Sequence, residues 1–421
     1  MTELEIKDRA LIWHPFSPLA GSFPIAIERA DGCYLYTTNG RKILDAISSW
    51  WVNIHGHTHP DIANAISKQA HQLEQVIFAG FTHRPAVELA ELLMQLLPVS
   101  IDKLFFSDDG STATEVALKL SIQYWYNLGK PRRKIIAIEG AYHGDTFGAM
   151  SVGDRLSIFN APFKDLLFDV EYIPFPEGTG ENTIGKMKEL VSHDTAAFIF
   201  EPLVQGAAGM RIYDADILDQ LISIAKDQQV ICIADEVMTG FGRTGKIMAC
   251  DYLIENPDIV CLSKGITGGF LPMGVTAVSE HITKAFDSSN KATAFFHGHS
   301  YTANPLACAA AVASTSLLLT QKAKDQIAEI THSHLDYISG FKYHHKVESI
   351  KSLGTILSIA LPVADAGYVS DIKDRIYDYF LSKDLLLRPL GNVIYLIPPY
   401  VITNKELQVI YKAIDGFLTE L

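Results

Sequence analysis

The sequence predicts an α/β fold: a large domain on an open, mostly parallel sheet, with a smaller α+β portion drawn from both chain ends. Two observations predict it. Short apolar runs alternate with amphipathic stretches through the middle of the chain, and the ends carry a different pattern of short strands and charged helices. The runs are "KIIAI" (134–138), "AAFIF" (196–200), "VICIA" (230–234) and "DIVCLS" (258–263). They are rich in β-branched residues and apolar throughout, as strands buried on both faces of a parallel sheet are. Between them, "DILDQLISIAKDQQ" places Ile217, Leu218, Leu221, Ile222 and Ala225 at helical spacing. Such alternation builds βαβ units.

The N-terminal end holds short strand-like pieces, including "CYLYTTNGRKILDA", where Asn39-Gly40 signals a hairpin. Beyond about residue 320 a charged helix precedes further strands and helices, among them "GTILSIAL" and "VIYLIPPYVI". These patterns divide the chain into an N-terminal segment (1–47) joining the small domain, a large domain (48–318) and a C-terminal small domain (319–421).

Composition narrows the function classes. The length of 421 residues suits two to three domains, and 48% hydrophobic against 20% charged residues supports a sizeable core. A formal net charge of −13 argues against a nucleic-acid binder, which needs a basic face. Five cysteines with no CxxC pair fit a reduced cytoplasmic chain better than a disulfide framework or a metal site. The start "MTELEIKDRA" has no apolar core, and "ACAAAVASTSLLL" is too short to span a membrane. No GxGxxG follows the first strand and no GxxxxGK[ST] occurs, so a nucleotide-binding module is a poor reading.

In parallel sheets ligands bind beyond the carboxyl ends of the strands. Here "VICIA" runs into Asp235, "DIVCLS" into Lys264, and "KIIAI" into Tyr142, His143 and Asp145. Taken singly, Asp235 reads equally as a helix cap, Lys264 as a solvated lysine and Tyr142 as a packed aromatic. Together they suit an aromatic aldehyde bearing a phosphate. A desolvated lysine condenses with the carbonyl, a carboxylate keeps a ring nitrogen protonated, and an aromatic stacks on the ring. Gly110-Ser111 open a helical pattern in which Thr112 and Glu115 have capping-box spacing, and such a start attracts an anion.

These motifs resemble the class III, fold-type I pyridoxal-5'-phosphate (PLP) aminotransferases along the whole chain. "IADEVMTGFGRTGKIMACDYLIENPDIVCLSKGITGG" is similar to the class signature, which implies that Asp235 pairs with the pyridine nitrogen and Lys264 holds the cofactor. The resemblance further implies that Gly110 and Ser111 bind the phosphate and that Tyr142 stacks on the ring. Ser300, in "FHGHSYTANPLACAAA", would reach the neighbouring subunit's phosphate, which makes a homodimer with shared sites. Within the class, "WHPF", "SSWW", "AYHGDTFGAMSVGD", "EPLVQGAAGM" and "LLRPLGNVIYLIPPY" resemble the branch that converts 8-amino-7-oxononanoate to 7,8-diaminononanoate in biotin synthesis. That branch implies Trp50 and Trp51 at the substrate site, Arg388 on the acceptor's carboxylate with Tyr395 beside it, and Phe16, Asp145, Arg243 and Gly298 in the same surroundings. Phe16 stands where many members have Tyr. "SSWW" and "VIYLIPPY" resemble the branch using S-adenosylmethionine as amino donor, whereas "HGHSYTAN" and "KGITGGFLP" resemble the one using lysine. Ala207 stands where relatives acting on ornithine or 4-aminobutyrate carry Glu, which argues against an ω-amino acid transaminase.

Overall fold

The structure is a computed structural model that describes residues 1–20, 24–154, 160–362 and 371–421. Its strands in chain order are β1 (Ile27–Asp31), β2 (Tyr34–Thr37), β3 (Lys42–Asp45), β4 (Ile101–Ser107), β5 (Lys134–Ile138), β6 (Glu171–Ile173) and β7 (Thr195–Phe200). Then come β8 (Val204–Gln205), β9 (Arg211–Ile212), β10 (Ile231–Asp235), β11 (Ile259–Leu262), β12 (Gly274–Ser279), β13 (Ser349–Leu353), β14 (Ile356–Ala360), β15 (Leu385–Leu386) and β16 (Val393–Leu396).

The central sheet has seven strands in the order β4-β12-β11-β10-β7-β5-β6. Only β12 runs against its neighbours, pairing antiparallel with both β11 and β4. All four predicted runs lie in this sheet. Alternate residues of each strand enter opposite layers. Ile231 and Ile233 pack with Ala113, Val116 and Ala117 of the helix Gly110–Asn127. Cys232 and Ala234 pack with Ile217, Leu218, Leu221, Ile222 and Ala225 of the helix Ala215–Asp227. Two-sided burial explains why the strand sequences are apolar without alternation.

The two ends of the chain meet in one sheet, β1-β2-β3-β15, where Leu385 and Leu386 pair in parallel with Leu44 and Asp45. The turn between β2 and β3 carries Gly40 at φ 85°, as Asn39-Gly40 predicts. Residues 3–11 precede these strands. They form a helix capped by Thr2, with Glu5 closing the capping box. A further antiparallel sheet, β13-β14-β16, completes the C-terminal region.

Candidate active site

Sheet register gathers the predicted groups. Asp235 pairs with Cys261 and Ala234 with Phe200, so Asp235 stands between the ends of β11 and β7. The chain leaves β11 through Ser263 into Lys264, and leaves β7 directly into Glu201. β5 delivers Tyr142 and His143 to the same edge. Lys264, Asp235, Tyr142, His143 and Glu201 line one cleft of about 400 Å³ with Gly110, Ser111 and Trp51.

Asp235 is 4% exposed. Its Oδ2 lies 2.7 Å from Nδ1 of buried His143, and its Oδ1 accepts from the Val237 amide at 3.0 Å. A carboxylate only accepts, so His143 donates through Nδ1. Its Nε2 is buried with no partner among the described residues. Lys264 has φ 40° and is half-buried, lining the cleft. Burial pushes its amine below the ordinary lysine value, while the charges of Asp235 and Glu201 oppose that shift. The amine lies 4.9 Å from the centre of the Trp51 ring.

Sequence reasoning missed Glu201. It accepts from the Tyr142 amide at 3.0 Å and the Gly206 amide at 2.8 Å. Burial pushes its carboxyl up to about 7, against the pull of nearby His143. The available signal was the one that marked Asp235: an acid following a wholly apolar strand. Tyr142 is half-buried, and burial together with the neighbouring Asp145 charge raises its hydroxyl.

The helix Gly110–Asn127 starts at the cleft, but its cap is shifted from the predicted pair. Asp109 is the N-cap: its side chain accepts from the Thr112 amide at 2.8 Å, and Thr112 Oγ1 accepts from the Asp109 amide at 3.0 Å. Glu115 instead accepts from the Gly148 amide at 2.7 Å. The first-turn amides of Gly110 and Ser111 therefore have no hydrogen-bond partner among the described residues. Gly144, at φ 130°, lets the 142–145 loop approach this start, since a Cβ there would fall 2.1 Å from Ser111 Oγ. Two free amides at a helix N-terminus, a desolvated lysine, a buried carboxylate and an aromatic fit the phosphate, aldehyde, ring nitrogen and ring face of PLP.

The remaining predicted residues lie around the cleft. Ser48, Ser49 and Trp51 all have positive φ, at about 1–3 kcal/mol each. The bend sends the two tryptophans different ways. Trp51 faces the cleft, and its Nε1 donates to the Tyr395 hydroxyl at 3.0 Å. Trp50 is 40% exposed and meets the Phe16 ring at 5.4 Å. The Arg388 guanidinium lies 5.0 Å from the Trp50 ring centre and makes no ion pair among the described residues. Arg243 does not line the cleft. It is buried behind Trp51, donating to the Pro398 carbonyl at 2.9 Å and the Trp51 carbonyl at 3.0 Å. Asp145 is exposed, and its amide donates to Ser111 Oγ at 3.2 Å. Gly298 and Ser300 are exposed and do not line the cleft, and the Ser300 carbonyl accepts from Gln75 at 2.6 Å.

Known proteins resemble this chain over nearly its whole length. A family profile described as aminotransferase class-III matches residues 16–418. The chain is 49% identical to the adenosylmethionine-8-amino-7-oxononanoate aminotransferase of Synechococcus elongatus, over 97% of this chain and 99% of that protein. It is 35% identical to the enzyme of the same name from Staphylococcus aureus, over 97% and 96%. Among solved structures, the one of that name from Methanocaldococcus jannaschii superposes with a TM-score of 0.92 at 35% identity, covering 98% of each chain. An amine transaminase from an uncultivated Pseudomonas species, in a PLP-bound form, superposes with a TM-score of 0.89 at 29% identity, covering 97% of this chain and 98% of that one.

Proposed function

The chain belongs to the class III aminotransferases, and from that premise we propose that it converts 8-amino-7-oxononanoate to 7,8-diaminononanoate in biotin biosynthesis, with PLP as cofactor and S-adenosylmethionine as amino donor. The observation that carries the aminotransferase reading is the meeting of Lys264 and Asp235 in one cleft that also holds the unpartnered start of the helix Gly110–Asn127.

When bound, PLP supplies an aldehyde that captures amines and a ring that withdraws electrons from the carbon bearing the captured nitrogen. Gly110 and Ser111 would hold its phosphate, Asp235 its ring nitrogen, and Tyr142 its ring face. With the cofactor in place, Lys264 would hold it through Nζ, and this amine, which burial favours in its neutral form, is the group placed to take the donor's α-proton and give it back. His143 fixes the Asp235 carboxylate through the 2.7 Å hydrogen bond. Glu201 fixes the Tyr142 backbone, and Trp51 keeps water from the amine. Arg388, open beside Trp50, pairs with the acceptor's carboxylate through its planar fork.

Lysine as donor is the alternative. "HGHSYTAN" and "KGITGGFLP" resemble the branch that uses it, and Phe16, against the Trp50 ring, lacks the hydroxyl that many members carry there. The half-reaction decides between the two: PLP-loaded protein is mixed with S-adenosylmethionine or with lysine alone, and loss of the visible absorbance is followed. Adenosylmethionine is expected to discharge the colour. Discharge by lysine only would reassign the donor, and discharge by neither would overturn the reading.

The protein works as a homodimer with shared sites. Supporting this, exposed Phe296 and Tyr301 flank the loop of Gly298 and Ser300, and Gln75 ties that loop to the segment carrying exposed Ile77 and Phe81. Its place is the cytoplasm, where its five free, buried cysteines stay reduced. No single helix among the described residues is long and apolar enough to cross a membrane.

A further inference from the structure

The segment carrying both tryptophans is bent against its own preference. Ser48, Ser49 and Trp51 have φ of 52°, 58° and 68°, and Ser49, with ψ −86°, lies near the strained γ-turn region. Such backbone persists only where its surroundings over-determine it. Asp45, fully buried at the end of β3, supplies much of that constraint. Its Oδ1 accepts from the Ile47 amide at 3.0 Å and its Oδ2 from the Ser49 amide at 2.6 Å.

A second layer fixes the carboxylate. His57 Nε2 lies 2.9 Å from Asp45 Oδ2, and Asn53 Nδ2 lies 2.7 Å from His57 Nδ1. An amide NH2 only donates, so His57 Nδ1 accepts and Nε2 carries the proton given to Asp45. Asn53 Nδ2 also reaches Ser49 Oγ at 3.4 Å, closing a ring of side chains around the turn. None of the three lines the cleft. We propose that Asp45, His57 and Asn53 are positioning residues that hold this turn so that Trp51 covers the Lys264 amine while Trp50 stands beside Arg388. The assignment rests on the aminotransferase reading of the cleft.

The test uses PLP-loaded His57→Ala, His57→Gln and Ser49→Gly proteins. In His57→Ala, the KM for 8-amino-7-oxononanoate should rise about tenfold or more, as misplacement of substrate-orienting groups does. PLP content should hold, and the pH midpoint of the visible absorbance should move because Trp51 no longer covers Lys264. His57→Gln keeps an N–H donor toward Asp45 and should recover most of both changes. Adding Ser49→Gly to His57→Ala relieves the backbone, so Tm should recover while KM does not. A His57→Ala protein with unchanged KM and midpoint, or one in which Tm alone changes, overturns the proposal. Should His57→Ala fail to fold, Asn53→Ala, which removes the donor to His57 Nδ1, decides: raised KM with PLP content held supports the proposal, and unchanged KM and midpoint overturn it. Wild-type protein inactive on 8-amino-7-oxononanoate refutes the substrate reading instead, and the absorbance midpoint still judges the turn.

Discussion

Gly110→Ala asks whether the helix start is shaped to admit an anion. A Cβ at 110 falls 2.7 Å from Val237 Cγ1, 3.2 Å from its Cγ2 and 3.6 Å from Ser263 Cβ. Val237 is β-branched and stiff, and its amide is held by Asp235 Oδ1 at 3.0 Å. No side-chain tip can swing aside, so either the first helical turn or the Asp235 loop must retreat. Overpacking of this kind costs about 1–3 kcal/mol. Replacing glycine by alanine in a helix offsets up to about 1 kcal/mol. The net loss of stability is therefore about 0–2 kcal/mol, too little to unfold a domain of this size. On the proposed placement, that retreat displaces the groups for the cofactor's phosphate and ring nitrogen together. Its Kd should rise about ten- to a hundredfold, which corresponds to about 1.4–2.7 kcal/mol. Stripped protein titrated with PLP and followed by visible absorbance gives the number, with Tm measured alongside. Val237→Ala added to Gly110→Ala removes both methyls the new Cβ meets and should restore most of the affinity. Wild-type affinity in Gly110→Ala, or no recovery in the double variant, refutes the assignment of this helix start to the phosphate.

Three further outcomes follow from the site. Lys264→Ala should abolish turnover and leave a protein whose bound cofactor cannot be fixed by borohydride; near-wild-type activity rejects the lysine's role. Arg388→Ala should raise the KM for the keto acid, and Arg388→Lys should recover it only partly because the fork is lost; a rise in the donor's KM instead would misplace the carboxylate. Glu201 sits at about 7 rather than its ordinary 4.5. Between those values the folded protein binds more protons than the unfolded chain, so cofactor-free protein loses stability as pH rises through that window, by at most ~3 kcal/mol. Glu201→Gln should flatten that slope in thermal melts, and an unchanged slope would show that another group carries it.

The legible part of the fold was the part in which local pattern and tertiary environment agree. The strands are apolar because both faces are covered, and the five apolar positions of the helix Ala215–Asp227 are the ones it buries. The site was legible to the extent that parallel topology brings strand ends together: Asp235, Lys264 and Tyr142 are distant in sequence but adjacent by register. The cap of the helix Gly110–Asn127 was misread because Thr112 and Glu115 have capping-box spacing, yet Asp109, with a shorter acidic side chain one residue before the helix, captures the Thr112 amide first. Glu201 carries the same strand-end signal as Asp235, an acid directly after a wholly apolar strand, but the same position is also where a chain leaving a buried strand turns polar.

The tryptophan turn is a different kind of failure. Nothing in "SSWW" asks for left-handed backbone. None of the three residues that adopt it is glycine, and tryptophan and serine have no local reason to prefer it. The conformation is imposed from a distance: by Asp45, fixed at the end of a strand paired with residues 385–386; by the Ile397 carbonyl that takes the Ser48 hydroxyl at 2.8 Å; and by Arg243 on the Trp51 carbonyl. Each partner is far away in the chain or fixed only once the two chain ends have met. A rule that reads neighbours cannot see this. The strain has a consequence at these rings: a turn that relaxed to its local preference would carry Trp51 off the Lys264 amine and Trp50 off Arg388, the two groups to which the proposed function gives the reacting nitrogen and the acceptor's carboxylate.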